Sequence, residues 1–191
     1  PAAGILQQAY VVYDAQKSAL IKHVLKSSKW NSVIIFASTK ETVKKLDVAF
    51  QRAGLPAKAF HSDLEQPERE VILRAFKNKQ INMLIGTDVL SRGIDVEGIS
   101  LVINFDVPPD PEDYVHRVGR TARAETTGTA ITFINERDQN KFHSIETLIG
   151  DTISKLPLPE SIGEGPAYVP RQKRNVDFKK RTSFRKRPPR K

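Results

Sequence analysis

Cysteine is missing from this chain altogether, which excludes disulfides and thiolate metal sites. The four histidines, His23, His61, His116 and His143, are too far apart to form ligand pairs one helical turn from each other. Long apolar runs are also lacking: SVIIFA at 32–37 is among the longest, far short of the roughly 20 residues that span a bilayer. No signal-peptide pattern opens the chain. A soluble, cytoplasmic protein with no membrane association is expected, in keeping with a reducing compartment. An initiator methionine is absent at Pro1, so the chain reads as a fragment of something longer, monomeric on its own.

What is present is charge, unevenly placed. Of the net +9, residues 1–159 hold 20 Lys+Arg against 19 Asp+Glu, whereas residues 160–191 hold 11 against 3. A balanced body at 1–159 followed by a basic, proline-containing arm at 160–191 is expected, the arm disordered and suited to meeting nucleic acid. The 191 residues suffice for one α/β domain plus this appendage.

Within the body, short runs rich in Val, Ile and Phe at 6–13, 32–37, 57–60, 82–86, 100–105 and 129–134 read as strands. Between them, 15–27, 39–53, 67–78, 111–119 and 136–148 carry apolar residues at helical spacing, with Pro67 and Pro111 as first-turn prolines. Repeated strand–helix–strand units predict an α/β fold with a mainly parallel sheet covered on both faces.

Ligands of such sheets sit at the carboxyl ends of the strands. After the strand ending at Gly86, Thr87 and Asp88 resemble a helix entry suited to a phosphate, Gly93 permits close backbone approach, and Asp95 is an acceptor of the kind that binds ribose hydroxyls. Taken alone, Asp88 reads as a helix cap and Asp95 as a turn residue. Arg69 lies in a first helical turn, where the dipole disfavours a cation by roughly 0.3–1 kcal/mol; either Glu68 and Glu70 compensate, or a bound phosphate does. In HRVGRTAR at 116–123, Arg117, Arg120 and Arg123 share a helix flank, each like-charge pair costing on the order of 0.2–0.5 kcal/mol. Gly119 adds about 1 kcal/mol relative to Ala. An anion with several oxygens, a triphosphate or a nucleic-acid backbone, would relieve this strain.

Two absences narrow the reading. No glycine is followed by lysine, so there is no GxxxxGK[ST] phosphate loop, and the only adjacent acidic pair is Glu112-Asp113, so no magnesium-holding acidic strand end is present. The chain carries half of a nucleotide site.

VIIFASTK at 33–40, HSDLEQPER at 61–69, TDVLSRGID at 87–95 and YVHRVGRTAR at 114–123 resemble, in order and spacing, motifs IV, IVa, V and VI of the second RecA-like domain of DEAD-box RNA helicases. The resemblance covers about four-fifths of the chain. It implies a RecA-like three-layer fold, ATP as ligand with Mg2+ held mainly by an absent N-terminal RecA-like domain, and RNA, single-stranded or short duplex, as partner. By position, Arg120 and Arg123 would reach the γ-phosphate, His116 and Arg117 would couple that site to the partner domain, and Asp95 would contact the ribose. Thr39, Gln66, Arg69, Thr87 and Gly93 would line the RNA path, joined by Lys179, Lys180, Arg181, Arg185, Lys186 and Arg187 of the arm. Phe36 is placed to stack on a motif arginine. Ala122 and Ser62 stand where the family often has glycine, and Leu90 and Ser91 replace a small alanine pair. A non-catalytic module binding RNA through its basic arm is the alternative reading.

Overall fold

The computed structural model describes residues 4–93, 96–121 and 127–171. Seven strands form one parallel sheet in the order β3-β4-β2-β5-β6-β1-β7: β1 (Ile5–Val11), β2 (Val33–Phe36), β3 (Lys58–Phe60), β4 (Met83–Gly86), β5 (Leu101–Asn104), β6 (Gly128–Ile134) and β7 (Ser154–Lys155). Six helices connect them: α1 (Asp14–Lys26), α2 (Lys40–Arg52), α3 (Gln66–Lys77), α4 (Asp88–Gly93), α5 (Pro111–Val118) and α6 (Gln139–Ile149). This is the three-layer RecA-like α/β architecture that the motifs implied.

Strict alternation along the strands sends side chains to the two faces of the sheet. Val33 and Ile35 of β2, Ile85 of β4, Ile103 of β5 and Phe133 of β6 pack with Leu20 and Val24 of α1 and Val43, Leu46 and Phe50 of α2. The intervening residues face the other way. There Ile34, Phe36, Leu84 and Val102 meet Phe76 of α3 and Leu90 of α4, while Ala130 and Ile134 meet Tyr114 and Val118 of α5 and Phe142 and Ile145 of α6. Leu90, in place of a small residue, is fully buried in the α3–α4 core. Gly86 makes room for it, because a Cβ at that position would lie 2.8 Å from the Leu90 side chain.

The body does not end at residue 159. Residues up to Arg171 run as an extended strap tied to α1 and α6: Gln16 donates to the carbonyls of Ile162 and Glu164 at 3.2 and 3.0 Å, and Gln139 bonds Ala167 and Val169, both at 2.7 Å. Tyr168 packs on Phe142 and its hydroxyl donates to Glu146 at 3.0 Å; burial, then the Glu146 carboxylate, raise the phenol's pKa. Glu146 also pairs with Lys155, whose amine lies 4.3 Å from the centre of the Tyr168 ring. The disordered arm expected from residue 160 is therefore a packed segment through 171. The first dozen residues of the arm hold only one of its basic side chains, Arg171, and they dock through side-chain-to-backbone bonds. Lys179, Lys180, Arg181, Arg185, Lys186 and Arg187 lie outside the described residues, as do Asp95, Ala122 and Arg123.

Candidate functional site

Three adjacent strands place one part of the site. Phe36, Phe60 and Gly86 end β2, β3 and β4, and Gly86 is the register partner of both phenylalanines. With strands about 4.8 Å apart, the segments carrying Thr39, Gln66 with Arg69, and Thr87 leave one edge of the sheet side by side. Thr39 caps α2, its hydroxyl accepting the Thr42 N–H at 3.2 Å. Gln66 opens α3 and is exposed. Thr87 lies between Gly86 and α4, and Gly93 closes α4.

The loop between β3 and α3 is braced from several directions. The Asp63 N–H donates to the His61 ring at 3.3 Å, and the Asp63 carboxylate takes Lys44 at 2.6 Å and Lys40 at 3.2 Å, both from α2. Hydrogen bonds from Lys44 and then Lys40 hold the Asp63 carboxyl at about 2, below the usual carboxylate range. This acid ties the entrance of α3 to that of α2. Arg69 folds back over the loop, donating to the Ser62 carbonyl at 3.0 Å and lying 6.0 Å from the Phe60 ring centre. Its Nε is buried without a hydrogen-bond partner.

Arg117 and Arg120 of the HRVGRTAR segment do not share a flank as expected, and Arg123 lies outside the described residues. α5 ends at Val118 and a 3-10 turn covers Gly119–Thr121, so the helical spacing breaks between Arg117 and Arg120. Arg117 turns inward and is 3 % exposed. Its guanidinium lies 4.7 Å from the Phe36 ring centre, the stacking expected of that phenylalanine. It donates to Asn104 at 3.2 Å and pairs with Asp88. Asn104 in turn donates to Thr132 at 3.2 Å, completing a buried polar seam between the α3–α4 and α5–α6 cores. Arg117 therefore finds its anion inside the chain, in Asp88, a residue that reads as a simple cap when considered alone.

Arg120 is partly exposed and donates to the Ser91 carbonyl of α4 at 3.3 Å. Its own carbonyl accepts the Ile99 N–H at 3.1 Å. α4 is thus held by α5 at Asp88 and by the 3-10 turn at Ser91. His116 and Gly119 are exposed, and nothing lies within 4 Å of a Cβ built on Gly119. Among the described residues no group of three His, Asp or Glu is placed to hold a metal, and no helix is long and apolar enough to cross a membrane.

Residues 16–125 match the helicase conserved C-terminal domain family. The chain belongs to that family. Within it, the relatives of this helicase C-terminal domain are DEAD-box proteins. The chain is 40 % identical over 153 residues to the ATP-dependent RNA helicase RhlB of Pseudomonas putida, covering 80 % of this chain and 38 % of that protein. A crystal structure of a DEAD box protein from Methanococcus jannaschii superposes with a TM-score of 0.74 at 40 % identity, over 81 % of this chain and 42 % of that one. S. cerevisiae Dbp5 bound to RNA and ADP BeF3 superposes with a TM-score of 0.74 at 31 % identity, over 80 % and 41 %. The helicase C-terminal domain thus spans well under half the length of these relatives.

Proposed function

We propose that this domain is the second half of an ATP-driven RNA helicase that closes on a preceding RecA-like domain when ATP and RNA bind, and reopens on hydrolysis. The observation that carries the reading is the shared departure of Thr39, Gln66 with Arg69, and Thr87 from three neighbouring strand ends. Four polar side chains lined along one sheet edge, with Gly93 at the end of α4, suit a phosphodiester backbone read by shape and charge rather than by base. A solved relative carries RNA together with ADP BeF3.

Arg120 and Arg123 are the arginines that reach the γ-phosphate of ATP, with Asp95 at the ribose. His116 lies exposed toward the partner domain, while Arg117 positions α4 against α5 rather than touching ligand. The exposed Gly119, for which nothing inside the fold requires glycine, leaves room for close approach of nucleotide or partner domain beside Arg120. The donors present fit the outer phosphates of a triphosphate, and they lack the phosphate loop that would hold the rest. Mg2+ and that loop belong to the preceding domain, so this chain alone hydrolyses no ATP. The basic residues Lys179, Lys180, Arg181, Arg185, Lys186 and Arg187 add sequence-independent RNA affinity.

In the full-length enzyme, Arg120→Ala or Arg123→Ala should lower ATP turnover by on the order of 10³ or more with RNA affinity nearly unchanged. Turnover retained in both variants overturns the assignment.

A further inference from the structure

The same edge of the sheet holds a cavity that the proposed function leaves unused. Its volume is about 710 Å³, and it lies between the first turns of α1 and α2 and the segments that follow β5 and β6. Ser38 and Thr42 line it. Ser38 precedes Thr39 and Thr42 is hydrogen-bonded to it, so the cavity adjoins the RNA path. Its cations are Lys17, Lys45, Arg137 and Lys141, set against the carboxylates Asp14, Asp106 and Asp138.

These charges divide into a floor and a rim. Lys17, 1 % exposed, is the floor, with its amine 3.0 Å from Asp106 and 3.2 Å from Asp14. The other oxygen of Asp106 accepts the Ser38 N–H at 2.8 Å, so the charge of Asp106 is taken up within the protein. The rim cations are the more exposed ones. Arg137, its side chain 82 % exposed, bonds an Asp14 carboxylate that is itself largely in solvent. Lys141 reaches Asp138 across one helical turn at 3.2 Å, and Lys45 is exposed. The exposed Arg137–Asp14 pair is weak and exchanges readily, and a phosphodiester offers the guanidinium the same bidentate oxygens.

We infer that the cavity is a second phosphate site, which takes the backbone of the RNA strand as it continues past Thr39. Lys45, Arg137 and Lys141 contact the phosphates, and the Lys17–Asp106 pair fixes the floor beneath them. The inference rests on the RNA path proposed above.

The test titrates the full chain with labelled oligouridylates of about 5 and about 15 nucleotides over a range of salt. The variants are Lys45→Gln/Arg137→Gln/Lys141→Gln, the single Arg137→Gln in case the triple variant folds poorly, and Arg69→Gln to report on the path. The triple variant should bind the longer strand more weakly, with the slope of log affinity against log salt shallower by about 2, at about 0.7 per phosphate. The shorter strand, which fills the path alone, should be unaffected, and Arg137→Gln should show part of the same length-dependent loss. Arg69→Gln should weaken both strands. Wild-type affinity and slope for the longer strand in both cavity variants, with Arg69→Gln still weakened, overturns the cavity site and leaves the path standing. Equal loss for both strands in the triple variant also overturns it. If Arg69→Gln binds as wild type too, the RNA reading falls with it.

Discussion

Arg117 lies buried with its guanidinium paired to Asp88, a carboxylate whose side chain is 48 % exposed at the head of α4. The asymmetry in exposure sets the outcome of removing either partner. Without Arg117, Asp88 hydrates; without Asp88, a buried cation keeps only Asn104 and the face of Phe36. Asp88→Ala should therefore destabilise the chain by about 3 kcal/mol in urea unfolding, unlike an ordinary surface substitution. Arg117→Met in the Asp88→Ala background should recover part of that loss. A cost near zero for Asp88→Ala would show that the pair contributes nothing.

Gly119 separates stability from function. Its φ of −59° and ψ of −17° suit any residue, and a Cβ meets nothing. Gly119→Ala should raise the thermal midpoint of this chain, corresponding to about 0.4–1 kcal/mol, while lowering ATP turnover in the full-length enzyme through crowding beside Arg120. An alanine variant that turns over ATP like wild type would mean that nothing approaches closely there.

Two truncations distinguish strap from tail. Ending the chain at residue 159 removes Ile162 and Tyr168 from the cores and the bonds to Gln16, Gln139 and Glu146, and should destabilise it by about 3 kcal/mol on the basis of apolar area alone. Ending it at residue 171 should leave the unfolding midpoint in place and remove most of the salt-sensitive RNA affinity. Equal stability of the two truncated chains would contradict the strap's role.

The difficulty of seeing that strap in the sequence is instructive. Strands such as 33–36 declare themselves through Val, Ile and Phe in a run, and α2 through the spacing of Val43, Leu46 and Phe50. The strap has neither period: Pro157, Pro159, Gly163 and Gly165 read locally as loop, and what holds it are polar side chains such as Gln16, distant in sequence. Gly165 passes so close to the Val11 carbonyl that a Cβ would collide with it, a constraint visible only once both segments are placed. α4, six residues long, is too short to show a helical period, and β7 has only two residues. That Thr87 follows a strand end and that Arg69 sits in the first turn of a helix was legible from residue type and position. The buried pairing of Arg117 was not legible, because its partner Asp88 is 29 residues away in sequence.

The clasp between Asp63 and its two lysines depends on pH with a definite sign. Its folded pKa, about 2, lies below the unfolded value of about 3.9. Its contribution is therefore complete above the unfolded value and is lost as pH falls through about 2. Asp63→Asn should lower the thermal midpoint at pH 7 relative to wild type, and the gap should close on acidification toward pH 2. A gap that persists at the lowest pH would assign the effect to packing rather than to charge.

The position of Arg117 has a wider consequence. One guanidinium touches the last residue of β2, the last residue of β5 and the first residue of α4. Thr87 immediately precedes that first residue, and Arg120 grips the same helix one turn further on, at Ser91. A ligand that shifts α4 by way of Thr87 and one that shifts it by way of Arg120 thus draw on a single set of bonds. Their binding energies are then linked, and linkage is symmetric: whatever factor one ligand imposes on the affinity of the other is returned in full.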